Sequence, residues 1–221
     1  TMMSGKYHPS HGIYTVSPSE RGLDLTRKII PTKNTENLSL DFFTIAEMLK
    51  SKGYVNAHVG KWHLGEKGHY PKDQGFDVNI GGWESGGPRG GYFSPYSNPN
   101  LENGPEDEYL TDRLTKEAVN FIDDNKDSKF FLHLAFYSVH TPIQSKKEYS
   151  NYFKNKPSDK NHNRADYAGM IRSLDENVGK VLSKIEELNL TENTLIIFTS
   201  DNGGIRSISN QYPLRAGKGS Y

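Results

Sequence analysis

The sequence predicts an α/β fold in which a mostly parallel sheet is sandwiched by helices. Three short apolar runs, at residues 54–59, 130–137 and 194–200, have the length and composition of buried strands. Helical patterns alternate with these runs, as is typical of parallel sheets. Polar residues follow each run directly, and such proteins place their functional sites beyond the carboxyl ends of their strands.

Three amphipathic patterns predict the main helices. We expect a helix at residues 39–50 with Ser39 or Asp41 as its N-cap, a second at 112–125, and a long core helix at 165–188. Apolar side chains three and four apart form their inward stripes. These are Phe42, Ile45, Met48 and Leu49, then Leu114, Ala118, Phe121 and Ile122, then Tyr167, Met170, Ile171, Leu174, Val178, Val181, Leu182 and Ile185.

Composition restricts the class of protein. The chain of 221 residues is long enough for one large domain, and its 27 Lys and Arg balance 27 Asp and Glu. That balance argues against nucleic acid as a partner, so any anion site must be a local cluster of cations. The absence of cysteine excludes disulfides and thiolate zinc sites. No apolar run is long enough to span a bilayer, and the first residues lack the features of a secretory signal.

Residues 65–105 form a long stretch rich in Gly, Pro, Asn and aromatic residues. A loop of this length inside a compact domain is usually functional or disordered, and its aromatic residues favour order. Trp83, Ser85 and Arg89 are candidates to line a pocket here. The alternative, that they only pack the loop onto the body of the protein, stays open.

The first two strand ends carry candidate catalytic residues. Lys61 and His63 follow the first strand two positions apart, so in an extended segment they would point to the same side. Lysine supplies a point charge, and histidine can exchange a proton near neutral pH. His140 lies just past the second strand, where function is expected, whereas His133 lies within that strand and is interpreted as a core residue.

A third cluster follows the last apolar run. Asp201 and Asn202 offer one charged and one neutral oxygen ligand, which suit Ca²⁺ or Mg²⁺ rather than zinc. Two glycines come next and allow close approach of the backbone. Lys218 lies in a Gly-Lys-Gly segment, and taken alone it would be interpreted as a flexible surface lysine.

Taken in order, these motifs closely resemble those of the type I sulfatases, which belong to the alkaline-phosphatase-like superfamily. They are Gly-Lys-Trp-His-Leu-Gly at 60–65, His-Thr-Pro at 140–142, Ser-Asp-Asn-Gly-Gly at 200–204 and Gly-Lys-Gly at 217–219. Residues 3–7 also look like the end of the family's N-terminal signature. The resemblance implies an alkaline-phosphatase-like α/β fold that is incomplete at both ends.

The resemblance also implies roles for the candidate residues. Asp201 and Asn202 correspond to the pair that ligates one Ca²⁺ at the sulfate. Lys61 corresponds to the lysine that contacts the sulfate and the nucleophile. His63 corresponds to the histidine that assists breakdown of the covalent sulfo-enzyme, and His140 to the one that contacts the sulfate or protonates the leaving oxygen.

The remaining candidates concern the substrate. Lys218 corresponds to a lysine that shares the duty of His140, and Ser85 lies where a serine sometimes contacts the histidine at position 63. Trp83 and Arg89 are of the types that stack on sugars or hold carboxylates. The expected substrate is therefore a sulfated carbohydrate or an aryl sulfate.

By the same resemblance, the nucleophile is a formylglycine, made from Cys or Ser, that would lie just upstream of Thr1. We expect residues 1–221 to be part of a single N-terminal catalytic domain, with a C-terminal subdomain following Tyr221. On that expectation, the 221-residue chain alone would not hydrolyse sulfate esters and would bind Ca²⁺ poorly. A periplasmic or extracellular location is implied by resemblance only.

The favoured function is hydrolysis of a sulfate ester with release of inorganic sulfate, and two alternatives stay open. A phosphoester or phosphonate hydrolase of the same superfamily would recruit further Asp and His ligands for a second metal. One Asp-Asn pair with two lysines instead favours a single metal and a sulfate. A non-catalytic protein that binds sulfated glycans could use the same cations.

Overall fold

A computed structural model describes residues 1–16, 23–158 and 162–219. Its helices are α1 (His8–His11), α2 (Ile45–Lys50), α3 (Leu110–Asp124), α4 (Lys147–Lys154) and α5 (Ala165–Glu187). Its strands are β1 (Val55–Gly60), β2 (Val78–Ile80) and β3 (Phe130–Ala135). The predicted α/β class is confirmed. In the described part of the chain, no helix is both long and apolar enough to cross a membrane.

Strand β1 lies at the centre of a parallel sheet with the order β2-β1-β3. Ala57 of β1 pairs with Val78 on one side and with Leu132 on the other. The last residues of β1 and β3, Gly60 and Ala135, pair with each other, so both strands end at the same edge. The sequence predicts a central position for β3, but among the described strands it lies at the edge and is only half-buried.

The prediction of a buried strand at residues 194–200 is wrong, because this segment forms no strand. Leu195 is 85% exposed and Phe198 is 73% exposed. None of the strands among the described residues pairs with the segment, and a strand without a neighbour can neither complete its hydrogen bonds nor bury its side chains. An apolar composition identifies a strand former but does not supply the partner.

The N-terminus of α2 is set by Thr44, so the prediction of Ser39 or Asp41 as its cap is wrong. The Thr44 hydroxyl accepts from the backbone N–H of Glu47 (3.2 Å), and the Glu47 carboxylate accepts from the N–H of Thr44 (2.7 Å). This reciprocal capping box satisfies two free donors of the first turn. Ser39 donates its hydroxyl hydrogen to the Asp41 carboxylate instead (3.0 Å).

The apolar side chains predicted to face inward are all buried in α3 but only partly buried in α5. Helix α3 buries all of its predicted inward residues, which are Leu114, Ala118, Phe121 and Ile122. In α5 only Met170 and Ile185 of the predicted stripe are buried, and Ile171 is 47% exposed. The face of α5 that meets α3 is partly polar, since the Asn177 amide donates to the Asp112 carboxylate (2.7 Å). The interpretation of α5 as a core helix with an apolar inward stripe is therefore wrong in part.

The long loop at 65–105 is ordered by its aromatic residues, as predicted. Trp83 and Tyr92 are buried, and the Tyr92 hydroxyl lies 2.7 Å from the backbone oxygen of Tyr137. Strand β2 and a 3₁₀ turn at Pro71–Gln74 lie within this loop, and the sequence pattern did not predict them. The loop is thus fixed against the end of β3, beside the candidate site.

Candidate active site

Lys61 leaves β1 along a backbone path that requires glycine at position 60. The backbone N–H of Lys61 donates to the carbonyl oxygen of Ala135 (2.8 Å). Gly60 has a φ of 106°, and a Cβ on it would lie 2.0 Å from that same oxygen. Because any other side chain would overlap the backbone of β3, Gly60 is a steric requirement for the position of Lys61.

His63 lies on a turn rather than in an extended segment. Its φ is 56°, so the prediction that residues 61–63 are extended is wrong. The backbone N–H of His63 donates to the carbonyl oxygen of Trp83 (3.0 Å), which bends the chain towards the long loop. The imidazole packs against Gly86, where a Cβ would lie 2.4 Å from the ring atom Cε1. The loop therefore forms the wall behind this ring.

His140 follows β3 with one ring nitrogen already engaged. Its backbone N–H donates to the carbonyl of Tyr137, and its Nδ1 lies 2.8 Å from the carbonyl oxygen of Thr141. Since a carbonyl oxygen only accepts, Nδ1 carries a proton. Nε2 is then the nitrogen that can exchange a proton with a substrate. A Cβ on Gly87 would lie 3.4 Å from Nδ1, so the loop behind His63 also reaches His140.

The C-terminal segment brings the third cluster to the same edge of the sheet without forming a strand. The Lys61 Nζ lies 3.9 Å from the Asp201 carboxylate, whose side chain is 74% exposed. The backbone N–H of Lys218 donates to the carbonyl oxygen of Gly204 (2.9 Å), which folds the Gly-Lys-Gly segment onto the Asp-Asn-Gly-Gly turn. Lys61, Asp201 and Lys218 thus lie in one neighbourhood, as the resemblance implies.

The electrostatics of the cluster favour an anion. Burial lowers the pKa of Lys61, Asp201 opposes that shift, and the charge of Lys218 adds to it. Burial also lowers the pKa of His63, and the charges of Lys61, His140 and Lys218 lower it further. Closely spaced positive groups that share one partly buried site repel one another, and a bound anion removes that repulsion.

The three substrate-side candidates line the loop that backs His63. The Arg89 guanidinium lies 4.9 Å above the ring of Trp83, and Trp83 is only 5% exposed. The Ser85 hydroxyl donates to the carbonyl oxygen of Gly87 (2.8 Å), so its hydrogen bond goes to the backbone and not to His63. Arg89 therefore offers the accessible surface, and Trp83 supports it from below.

The side-chain oxygens of Asp201 and Asn202 are of the kind that binds a divalent cation, but two residues supply too few of them for a full coordination shell. Both carry hard oxygen donors, and Asn202 already uses its amide N–H on the carbonyl of Gly203 (3.0 Å), which leaves the side-chain oxygen as the ligand atom. A calcium ion takes roughly six to eight oxygens. Within residues 1–16, 23–158 and 162–219, no three His, Asp or Glu side chains converge on one point. The pair would thus supply part of a coordination shell.

Two residues near the site were not singled out from the sequence. Gly86 leaves room for the His63 ring, and only its place in a glycine-rich run could have drawn attention to it. His58 lies fully buried in β1, three residues before Lys61. A histidine inside a strand predicted to be buried was the available signal, because buried polar groups need partners.

The fold and the site define an α/β protein with a cationic, anion-binding centre at the carboxyl edge of its sheet. Comparison with known proteins identifies the family. The family model described as "Sulfatase" matches residues 1–221, so this chain belongs to the sulfatase family. Members of that family generally depend on a divalent cation and on formylglycine.

Several relatives are similar over most or all of this chain. A sulfatase from Formosa agariphila is 30% identical, with 100% of this chain and 50% of that protein aligned. The N-acetylgalactosamine-6-sulfatase of Mus musculus is 30% identical over 91% of this chain and 40% of its own length. The crystal structure of Ps i-CgsB in complex with k-i-k-neocarrahexaose has a TM-score of 0.76 at 32% identity, covering 99% of this chain and 50% of that one. The chain spans about half the length of these relatives.

Proposed function

We propose that this protein hydrolyses the sulfate ester of a sulfated carbohydrate and releases inorganic sulfate. The observation that carries the proposal is the convergence of Lys61, His63, His140 and Lys218 beside Asp201, within a chain that belongs to the sulfatase family. Two relatives are named for, or solved with, carbohydrates: N-acetylgalactosamine-6-sulfatase and the neocarrahexaose complex. They support a carbohydrate as the substrate.

The lysines bind and stabilise the sulfate. Its oxygens are negatively charged, so it is a poor electrophile until that charge is offset. Lys61 is largely buried, its backbone is held at Ala135, and its Nζ lies 3.9 Å from the Asp201 carboxylate, so its charge lies within the cluster. Lys218 brings a second positive charge, which acts on both Lys61 and His63. A preorganised charge such as that of Lys61 lowers the barrier because it needs no rearrangement during the reaction.

The two histidines handle protons. His140 presents Nε2 to the substrate because Nδ1 is engaged by Thr141, so it can hold a proton for the leaving oxygen. The lowered pKa of His63 keeps this imidazole neutral near pH 7, which suits a general base. The formylglycine implied by the family supplies the nucleophile, and His63 is the base proposed to assist release of sulfate from it.

Asp201 and Asn202 would hold the divalent cation, with Ca²⁺ as the proposed ion. A cation there supplies charge stabilisation to the sulfate oxygens. Asp201 lies close to Lys61, so the ion and the lysine would act on the same anion. A periplasmic or extracellular location belongs to the same proposal, because it follows from the class of substrate and the family.

Arg89 is proposed to contact the sugar next to the sulfate. Its guanidinium stacks on Trp83, and the nearby Glu84 carboxylate accepts a short hydrogen bond from the hydroxyl of Tyr70. These contacts hold the loop in one conformation beside His63. An arginine fixed in this way can pair with an acidic group of the glycan without losing much conformational entropy.

The test compares substrates on the full-length protein. We expect hydrolysis of nitrophenyl sulfate and of sulfated oligosaccharides, little hydrolysis of nitrophenyl phosphate, and loss of activity after removal of divalent cations. Faster turnover of the phosphate ester would favour the phosphoester hydrolase. Binding of sulfated oligosaccharides without turnover of any ester would favour the glycan-binding protein, and either result would overturn the proposal.

A further inference from the structure

Two histidines, the fully buried His58 and the half-buried His133, form a hydrogen-bonded pair next to the candidate active site. His58 in β1 and His133 in β3 occupy paired positions of the sheet. Their Nδ1 atoms lie 2.9 Å apart, and the Nε2 of His58 lies 3.1 Å from the carbonyl oxygen of Gly60. His58 is 0% exposed, and burial lowers the pKa of His133 to about 4. Both rings are therefore neutral near pH 7.

The geometry assigns one proton to each ring. The carbonyl of Gly60 can only accept, so Nε2 of His58 must carry its proton. In a neutral imidazole the other nitrogen is then an acceptor, which makes Nδ1 of His133 the donor across the pair. The result is a directed chain of hydrogen bonds from His133 through His58 to Gly60.

This chain of hydrogen bonds ends at Gly60, directly before the segment that carries Lys61 and His63. Gly60 is the last residue of β1, and the next residue is Lys61. The His58 ring also packs edge-on against the indole of Trp62, with centroids 5.2 Å apart and planes at 76°. Trp62 lies between Lys61 and His63, and its indole N–H donates to the carbonyl of residue 69 (2.9 Å). His58 thus contacts the chain on both sides of Lys61.

We propose that His58 and His133 are positioning residues that hold Lys61 and His63 in their reactive geometry. His58 fixes the carbonyl direction at the end of β1 and the orientation of the intervening indole, and His133 fixes the tautomer and rotation of His58. A displacement of about 1 Å at a reacting group can cost about a hundredfold in rate. The proposal rests on the proposed sulfatase activity, although the hydrogen-bond chain can be tested without it.

The kinetic test uses matched variants of the full-length protein. His133→Leu and His58→Leu should lower kcat for nitrophenyl sulfate by about tenfold to a hundredfold, with a much smaller change in KM. His133→Asn keeps a donor at the Nδ1 position and should retain most of the wild-type kcat. Phe131→Leu serves as the control, because Phe131 lies in the same strand and packs on Phe76 without joining the hydrogen-bond chain.

Nitrogen-detected NMR of the imidazoles completes the test. We expect His58 to be protonated only at Nε2 and His133 only at Nδ1, whether or not the protein turns over sulfate esters. The opposite tautomers would overturn the proposal, and so would a Leu variant with wild-type kcat or a His133→Asn variant as impaired as His133→Leu. Absence of sulfatase activity together with the expected tautomers would count against the proposed function, because only the activity assays would have failed. The same result would also overturn the positioning role, because that role is defined by the sulfatase reaction.

Discussion

The two halves of the candidate site are built in different ways. Lys61, His63 and His140 follow paired, parallel strands, and the backbone N–H of each donates to a backbone carbonyl of β3, of the segment after it or of the long loop. Asp201 and Lys218 lie on an exposed segment that reaches the same place through turns. The sheet half is therefore preorganised, and the C-terminal half depends on local contacts with it.

This contrast teaches where substitutions should be costly. A change at the end of β1 must displace backbone that lies between two neighbouring strands, whereas the C-terminal half can relax into solvent. Removing the charge of a buried lysine should likewise cost more activity than removing that of an exposed lysine, because salt and water screen an exposed lysine more strongly. The following predictions test the contrast in order of expected effect.

Gly60→Ala should have the largest effect, destabilising the protein by ~3 kcal/mol or more and abolishing activity. The new Cβ would lie 2.0 Å from the Ala135 carbonyl oxygen, and φ at Gly60 is 106°. Gly179→Ala is the matched control, since open space surrounds that position on α5 and the helix should gain ~0.5–1 kcal/mol. Urea unfolding measures both, and equal stability of the two variants would contradict the prediction.

Lys61→Met should lower kcat for nitrophenyl sulfate by about a hundredfold to a thousandfold. Lys218→Met should cost only about tenfold, because its charge is exposed and more strongly screened. Steady-state kinetics at low and high salt distinguish the two lysines. The exposed Lys67→Met is the control and should leave kcat unchanged; a larger loss for Lys218 than for Lys61 would reverse the contrast.

The buried histidine pair should make stability depend on pH. Because the pKa of His133 falls from 6.5 to about 4 on folding, the unfolded chain binds more protons between these values. The free energy of unfolding is then at its full value above pH 6.5 and decreases as pH falls towards 4, by up to about 1.4 kcal/mol per pH unit for each proton. His58, whose pKa is also lowered, adds to the same slope.

Urea unfolding across this pH range measures the slope, and His133→Asn should reduce it. The exposed His162→Asn serves as the control. If His133→Asn left the pH slope of the unfolding free energy unchanged, other groups would cause that slope. The buried sheet would then not differ from the exposed segments in its dependence on pH.

Arg89→Met should have the smallest effect, raising KM for a sulfated oligosaccharide about fivefold and hardly changing KM for nitrophenyl sulfate. Arg89 is exposed and stacked on Trp83, so it can reach the sugar without touching the sulfate. Lys72→Met, at another exposed cation of the same loop, is the control. An equal rise in KM for both substrates would place Arg89 at the sulfate instead.

Much of the site was predictable because its motifs are local. Lys61, His140 and Asp201 each follow an apolar run, and the sequence order of the motifs matches the sulfatase family that the comparison confirmed. The roles of the individual residues stay predictions. The cap of α2 was wrong because several capping residues compete within one short stretch, and only the capping box at Thr44 shows which one is used.

By itself, the sequence determined the α/β class, the family, and the position of each polar cluster just after an apolar run. Only the tertiary structure decided that residues 194–200 pair with none of the strands in the described ranges, that His63 lies on a turn, and that α5 presents a partly polar face to α3. It also revealed the pairing of His58 with His133. The physical reason is the same throughout: composition and periodicity report what a segment can bury, whereas strand partners, backbone turns and hydrogen-bond chains depend on residues far away in the sequence.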